Sequence, residues 1–239
     1  MKPRSSRGAA YFITARTSGV QSPGHGASAR ADDYAAERMA EDIGAVIEAL
    51  RLDRAAIVGH SMGAINGLLF AAANPELVER LAIVDIGPES LGPGAVAGWR
   101  ASLRAAARTS YAAPAEAVAE WQAGNPRARA PELRRFIDSN LSEGEDGRWR
   151  WRFDAAGLES FLDQVPSEDA LWAALRRLES PTLVVRGQHS DALSAATAER
   201  MTAELARGAL VDIADGAHDL TVEQPSALGR VLDEFLAQA

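Results

Sequence analysis

The chain has 239 residues, a formal net charge of −8 and no cysteine. That length can bury a large core in one domain carrying an insertion. The acidic balance, with Lys2 the only lysine, argues against nucleic acid or an anionic membrane as partner, because either needs a basic face to displace counterions. Without cysteine there is no disulfide, no thiolate metal site and no cysteine nucleophile. The opening stretch MKPRSSRGAAYFITARTSG contains only AAYFITA as an apolar segment, short for a secretory leader. No run approaches the roughly 20 apolar residues that span a bilayer, so the expectation is a soluble, cytoplasmic protein.

From Met39 onward, Met39, Ile43, Val46, Ile47 and Leu50 fall on one face of an amphipathic helix. The period then changes. AAIVG (55–59) and LAIVDI (81–86) are short, continuous apolar runs suited to strands buried on both faces of a parallel sheet. Between them MGAINGLLFAAAN is long enough for a helix, and Pro75 follows where that helix must stop. The alternation returns with TLVVRG (182–187), a helix near 196–206, ALVDIA (209–214), and a last helix carrying Leu228, Val231, Leu232, Phe235 and Leu236. Strands alternating with helices predict an α/β fold with a parallel sheet.

Residues 91–179 break the rhythm and read as helical, with helices expected near 98–108, 113–123, 130–141 and 167–178, the last capped by Ser167. This segment is expected to form a helical cap, with 1–90 and 180–239 forming the core, and to shape an apolar pocket at their interface. All five tryptophans lie in it. Trp99, Trp121, Trp149 and Trp151 are the candidate substrate contacts, against the simpler reading that a small helical unit needs large side chains to hold together. In RWRWRF (148–153) a period of two sets the aromatics on one face of an extended segment, better suited to packing under the cap than to binding nucleic acid.

Gly59-His60-Ser61-Met62-Gly63 matches G-x-S-x-G, with an apolar strand leading in and a helix leading out. That is the setting of a nucleophile elbow, which lifts a serine hydroxyl above the sheet edge and points the next backbone N–H, here that of Met62, at a developing oxyanion. A serine needs a base, and an imidazole serves best when an acid fixes its tautomer. Of the four histidines, His218 follows the last strand and opens on the same sheet edge as the elbow, whereas His25, His60 and His189 read as packing or loop residues. Asp191, after TLVVRG, is the expected acid, with Asp85 at the end of LAIVDI held in reserve.

On these motifs the chain resembles the α/β-hydrolase superfamily. GHGAS, the helix after it, the elbow, PTLVVRGQHSDALS and DGAHDL are similar to successive family segments over roughly residues 24–239. The resemblance implies the α/β-hydrolase fold, a mostly parallel sheet flanked by helices with an inserted cap. It implies Ser61 as nucleophile, His218 as base, Asp191 as orienting acid, and no metal or organic cofactor. Some members place the acid where Asp85 stands.

The family usually supplies a second oxyanion N–H from a strand ending in His-Gly, which is not recognisable here, so the expectation is that the N-terminal strands are truncated or atypical. YFITA (11–15) could take the vacant place beside the elbow strand, with Thr17, Ser18 or Gly19 offering an N–H. The expected function is hydrolysis of a small ester, lactone or related carbonyl substrate through an acyl-enzyme on Ser61. Two alternatives stay open: a catalytically impaired member acting as a small-molecule binding or interaction protein, and a nonhydrolytic or C–C bond-cleaving member. An exposed parallel edge allows a homodimer.

Overall fold

A computed structural model describes residues 18–238. In chain order, α1 (Ala36–Ala49) leads into β1 (Ala55–His60), α2 (Met62–Ala73) and β2 (Val78–Val84). An insertion follows: α3 (Pro93–Arg108), α4 (Pro114–Gly124), α5 (Ala130–Asn140), a hairpin of β3 (Leu141–Glu143) and β4 (Trp149–Trp151), α6 (Ala155–Asp163) and α7 (Glu168–Arg176). The core then resumes with β5 (Thr182–Gly187), α8 (Ala195–Glu204), β6 (Gly208–Ile213), α9 (Leu220–Glu223) and α10 (Pro225–Leu236). Among the described residues no helix is long and apolar enough to cross a membrane.

Local chemistry explains the helix starts. Pro93, Pro114 and Pro225 open α3, α4 and α10 at the first position, where a missing N–H costs nothing. Ser167 and Ser194 accept the N–H groups of Ala170 and Thr197 and so cap α7 and α8.

β1, β2, β5 and β6 form one parallel sheet in the order β1-β2-β5-β6. Leu81, Ile83 and Val184 face α2, α7 and α8, while Ala82, Val84, Leu183 and Val185 face α10 through Leu228, Leu232 and Phe235. Both faces of the central strands are therefore covered, which is why LAIVDI and TLVVRG read as unbroken apolar runs. β1 lies at the edge among the described residues and alternates instead, leaving Val58 44% exposed. Residues 11–15 and Thr17, expected beside it, lie outside the described residues, and Ser18 and Gly19 are exposed.

The insertion is divided in its packing. Leu171, Trp172, Leu175 and Leu178 join the main core, so α7 belongs with the sheet and not with the separate unit expected over 91–179. α4, α5 and the hairpin build their own cluster around Tyr111, Ala117, Leu133, Ile137 and Leu141. α6 has no counterpart in the sequence expectation, since Gly157 interrupts its pattern. The glycine is there because the Tyr34 ring packs where a Cβ would project.

The two elbow glycines differ. At Gly59 a Cβ would collide with the Gly63 carbonyl oxygen and the Ala64 backbone, whereas at Gly63 it would meet nothing within 4 Å. Gly59→Ala should therefore lower the melting temperature and disturb the turn, at about 1–3 kcal/mol or more for forced overpacking. Gly63→Ala should leave stability unchanged or raise it by up to about 1 kcal/mol through helix propensity, as thermal unfolding of the two variants will show.

Candidate active site

The close crossing of β1 and α2 puts Ser61 between them in a backbone conformation that side chains rarely adopt, φ 52° and ψ −123°. Its N–H donates to the Val84 carbonyl at 3.0 Å, tying the turn to the neighbouring strand. The hydroxyl is thereby turned away from the sheet, 3.1 Å from His218 Nε2. Met62 is the first residue of α2, where the helix offers its N–H no acceptor and the helix dipole favours negative charge.

His218 stands in the loop between β6 and α9. Its Nδ1 lies 2.9 Å from Asp85 Oδ2. A carboxylate can only accept, so Nδ1 carries the proton and the Nε2 lone pair faces the serine hydroxyl. Asp85 immediately follows β2, is fully buried and has a positive φ of 55°. Its Oδ1 accepts the Gly187 N–H at 2.8 Å, and its Oδ2 accepts the Ser190 hydroxyl at 2.5 Å as well as the His218 ring.

The position beside His218 Nδ1 expected for Asp191 is thus filled by Asp85. The reason is local. Ser190 Oγ accepts the N–H groups of Ala192 and Leu193 while donating to Asp85, which folds the loop so that Ser190 points inward and Asp191 remains exposed at the cavity. The available signal was an aspartate set between Val84 and Ile86 in an otherwise apolar run.

His60, read from the sequence as a packing or loop residue, stands directly against His218. Its Nε2 donates to the His218 carbonyl at 2.8 Å, and the two rings lie 4.8 Å apart. Burial first, and the His218 charge second, hold its pKa below the ordinary histidine range, which suits a neutral donor. At His218 burial pulls the pKa down. The hydrogen bond and charge of Asp85, aided by Asp219 and Asp191, outweigh it and raise the pKa. His25 donates its Nδ1 to the Pro23 carbonyl, and His189 contributes a backbone N–H to the Gly216 carbonyl.

A cavity of about 460 Å³ opens at His218, lined also by Trp99, Glu89, Ser90, Asp191, Ser194 and Thr197 among others. The lining is mixed, with two carboxylates and three hydroxyls, where an apolar pocket was expected. Of the tryptophans proposed as substrate contacts, Trp99 lines this cavity. Trp121 and Trp151 pack against each other and Phe136 at 5.1 to 6.3 Å between ring centroids, and Trp149 joins the same cluster. Trp172 is buried in the core beneath the Arg200 guanidinium.

A family model described as the alpha/beta hydrolase family matches residues 6–231. An esterase of Mycobacterium tuberculosis is 30% identical over 219 residues, which cover 87% of this chain and 70% of the esterase. An sn-1-specific diacylglycerol lipase of Mus musculus is 32% identical over 149 residues, 61% of this chain, and the match spans about half of the lipase, 48%. The solved structure of E-2-(acetamidomethylene)succinate hydrolase superposes with a TM-score of 0.81 at 25% identity, covering 91% of this chain and 80% of that one.

The two aspartates can be told apart with a fluorophosphonate that reacts at an activated serine. Its rate should rise with pH as His218 loses its proton, with a midpoint above the ordinary value of about 6.5. Asp85→Asn should cost on the order of 10⁴ in rate by leaving the imidazole in the wrong tautomer. Asp191→Asn should keep most of the rate and lower the midpoint, because one of the charges holding the proton is gone. A pH series of labelling rates on the three proteins checks all of this.

Proposed function

Since the chain belongs to the alpha/beta hydrolase family, we propose that it is a serine hydrolase of small carboxylic esters or lactones, with Ser61, His218 and Asp85 as its triad and residues 93–163 as its cap. The observation that carries the reading is the continuous chain of hydrogen bonds from Ser61 Oγ through the His218 ring to a fully buried Asp85 carboxylate. Esterases and lipases among the relatives support the same chemistry.

In this mechanism Ser61 Oγ attacks the carbonyl carbon and its proton passes to His218 Nε2. The carbonyl oxygen becomes an oxyanion facing the Met62 N–H and the N-terminus of α2. Collapse breaks the bond to the leaving oxygen, which takes the proton from His218, and the acyl group stays on Ser61. Water then gives a proton to His218 and attacks the acyl carbon. His218 returns the proton to Ser61 Oγ as the acid leaves. Asp85 keeps the imidazole oriented and stabilises the imidazolium in both halves.

The cavity lining supports a preference by charge. Glu89 is engaged by Arg200 at 3.0 Å and by the Thr197 hydroxyl at 2.5 Å, while Asp191 stands exposed beside His218 and Trp99. A carboxylate on the substrate meets this field unfavourably.

Labelling by the fluorophosphonate should map to Ser61 and vanish in Ser61→Ala, with His218→Ala strongly reduced. On short-chain esters matched except for charge, kcat/KM should be highest for neutral or cationic members and lowest for anionic ones, with Asp191→Asn narrowing the gap. A folded wild-type chain that neither labels nor turns over any ester would overturn the reading and favour the binding-protein alternative.

A further inference from the structure

The loop that carries His218 is held from the insertion as well as from the sheet. α9 begins two residues after His218, and its Leu220 N–H donates to the His218 carbonyl at 3.0 Å, the same oxygen that accepts from His60. Leu220 packs into the core with α10, whereas Val222, two residues on, packs into the separate cluster of α4, α5 and the hairpin. The Val222 carbonyl accepts the Arg129 N–H from the start of α5 at 2.9 Å.

Glu223 closes this arrangement. It is 2% exposed, a burial that a carboxylate sustains only with partners. One oxygen accepts the N–H of Ala217, the residue before His218. The other accepts Nδ2 of Asn125, at the end of α4, at 2.7 Å. Asn125 is fixed in turn, because its carbonyl accepts the Ala128 N–H at 3.1 Å and the Gln122 side chain at 3.2 Å.

We infer that Glu223 is a positioning residue for the reaction, a strap through which the cap sets the place of His218. The inference rests on the serine hydrolase reading and adds to it: the cap acts on the base and does more than cover the cavity. Neither carboxylate oxygen reaches the His218 ring in this arrangement. Glu223 fixes the main chain on one side of His218 while His60 and Leu220 fix its carbonyl on the other, and Asp85 then receives a ring already in place.

The test uses the full chain and the rate of Ser61 labelling by a fluorophosphonate, which needs no known substrate. Glu223→Ala frees Ala217 and Asn125 together and should slow labelling by about tenfold to a hundredfold, the scale of a reacting group misplaced by about 1 Å. Its pH midpoint should fall towards that of an ordinary histidine, because a displaced ring loses the Asp85 charge while Asp219, Asp191 and His60 remain nearby. Glu223→Gln should restore most of the rate, since its oxygen can accept from Ala217 and its amide can donate to a turned Asn125. Asn125→Ala removes the cap's arm alone and should slow labelling by an intermediate factor in a chain that melts cooperatively.

Wild-type rate and midpoint in folded Glu223→Ala would overturn the strap, as would equal slowing in the alanine and glutamine variants. If Glu223→Ala does not fold, a wild-type rate and midpoint in Asn125→Ala overturns it. A wild-type chain that never labels overturns the hydrolase reading first, and the strap with it.

Discussion

The carboxylate of Asp85 is the constraint around which the site is organised. A fully buried charge in a sheet of apolar strands is expensive unless its lone pairs are filled. Here each partner comes from a different part of the chain: the Gly187 N–H from the end of β5, the Ser190 hydroxyl from the loop beyond it, and the His218 ring from the loop after β6. Satisfying Asp85 therefore fixes how two loops sit on the sheet edge. Gly187 shows how close the fit is, because a Cβ there would run into the carbonyl of Ala217, one residue before His218.

The elbow is held by the same logic from the other side. Ser61 donates its N–H to Val84, the residue before Asp85, so Ser61 and Asp85 hang from adjacent positions of one strand end. Two consecutive demands, a positive φ at Ser61 and another at Asp85, are met where β1 and β2 end together. Strain of this kind costs of order 1–3 kcal/mol per residue and persists only when the surrounding packing determines it. The register of β1 on β2, with Gly59 opposite Ile83 and His60 opposite Val84, supplies that determination.

Much of this was legible in the sequence because the signals were local. Continuous apolar runs gave the strands, prolines and serines gave the helix starts, and the strand-serine-helix setting gave Ser61. His218 followed from topology, since loops after parallel strands share one edge. That Asp85 and not Asp191 sits beside His218 Nδ1 has a reason no local pattern contains. The choice between two aspartates on that edge depends on which way the 188–193 loop folds, and the Ser190 hydroxyl decides it through bonds to Asp85 and to two N–H groups further on. The tryptophans repeat the lesson. Alternation in RWRWRF correctly gave an extended segment, yet aromatic side chains read as pocket lining proved to be one another's packing partners, with only Trp99 among the four reaching the cavity.

The insertion leaves the sheet just after Asp85, whose N–H donates to Val185 and whose carboxylate receives Gly187, and it returns at the other end of the sheet, where the Leu81 N–H donates to Pro181 and Leu81 pairs with Thr182. A loop closed at fixed ends costs little more when it grows, about 0.6 kcal/mol for each doubling in length. Descendants of this chain can accordingly lengthen, shorten or replace the helices α3 to α6 without disturbing Asp85, whereas α7 is tied to the sheet core. The tolerance ends at the contacts with α9, where a rebuilt insertion must again meet Val222 and Glu223. Divergence in substrate range is open to most of the insertion, then, while its grip on the histidine loop is the part that evolution has least room to alter.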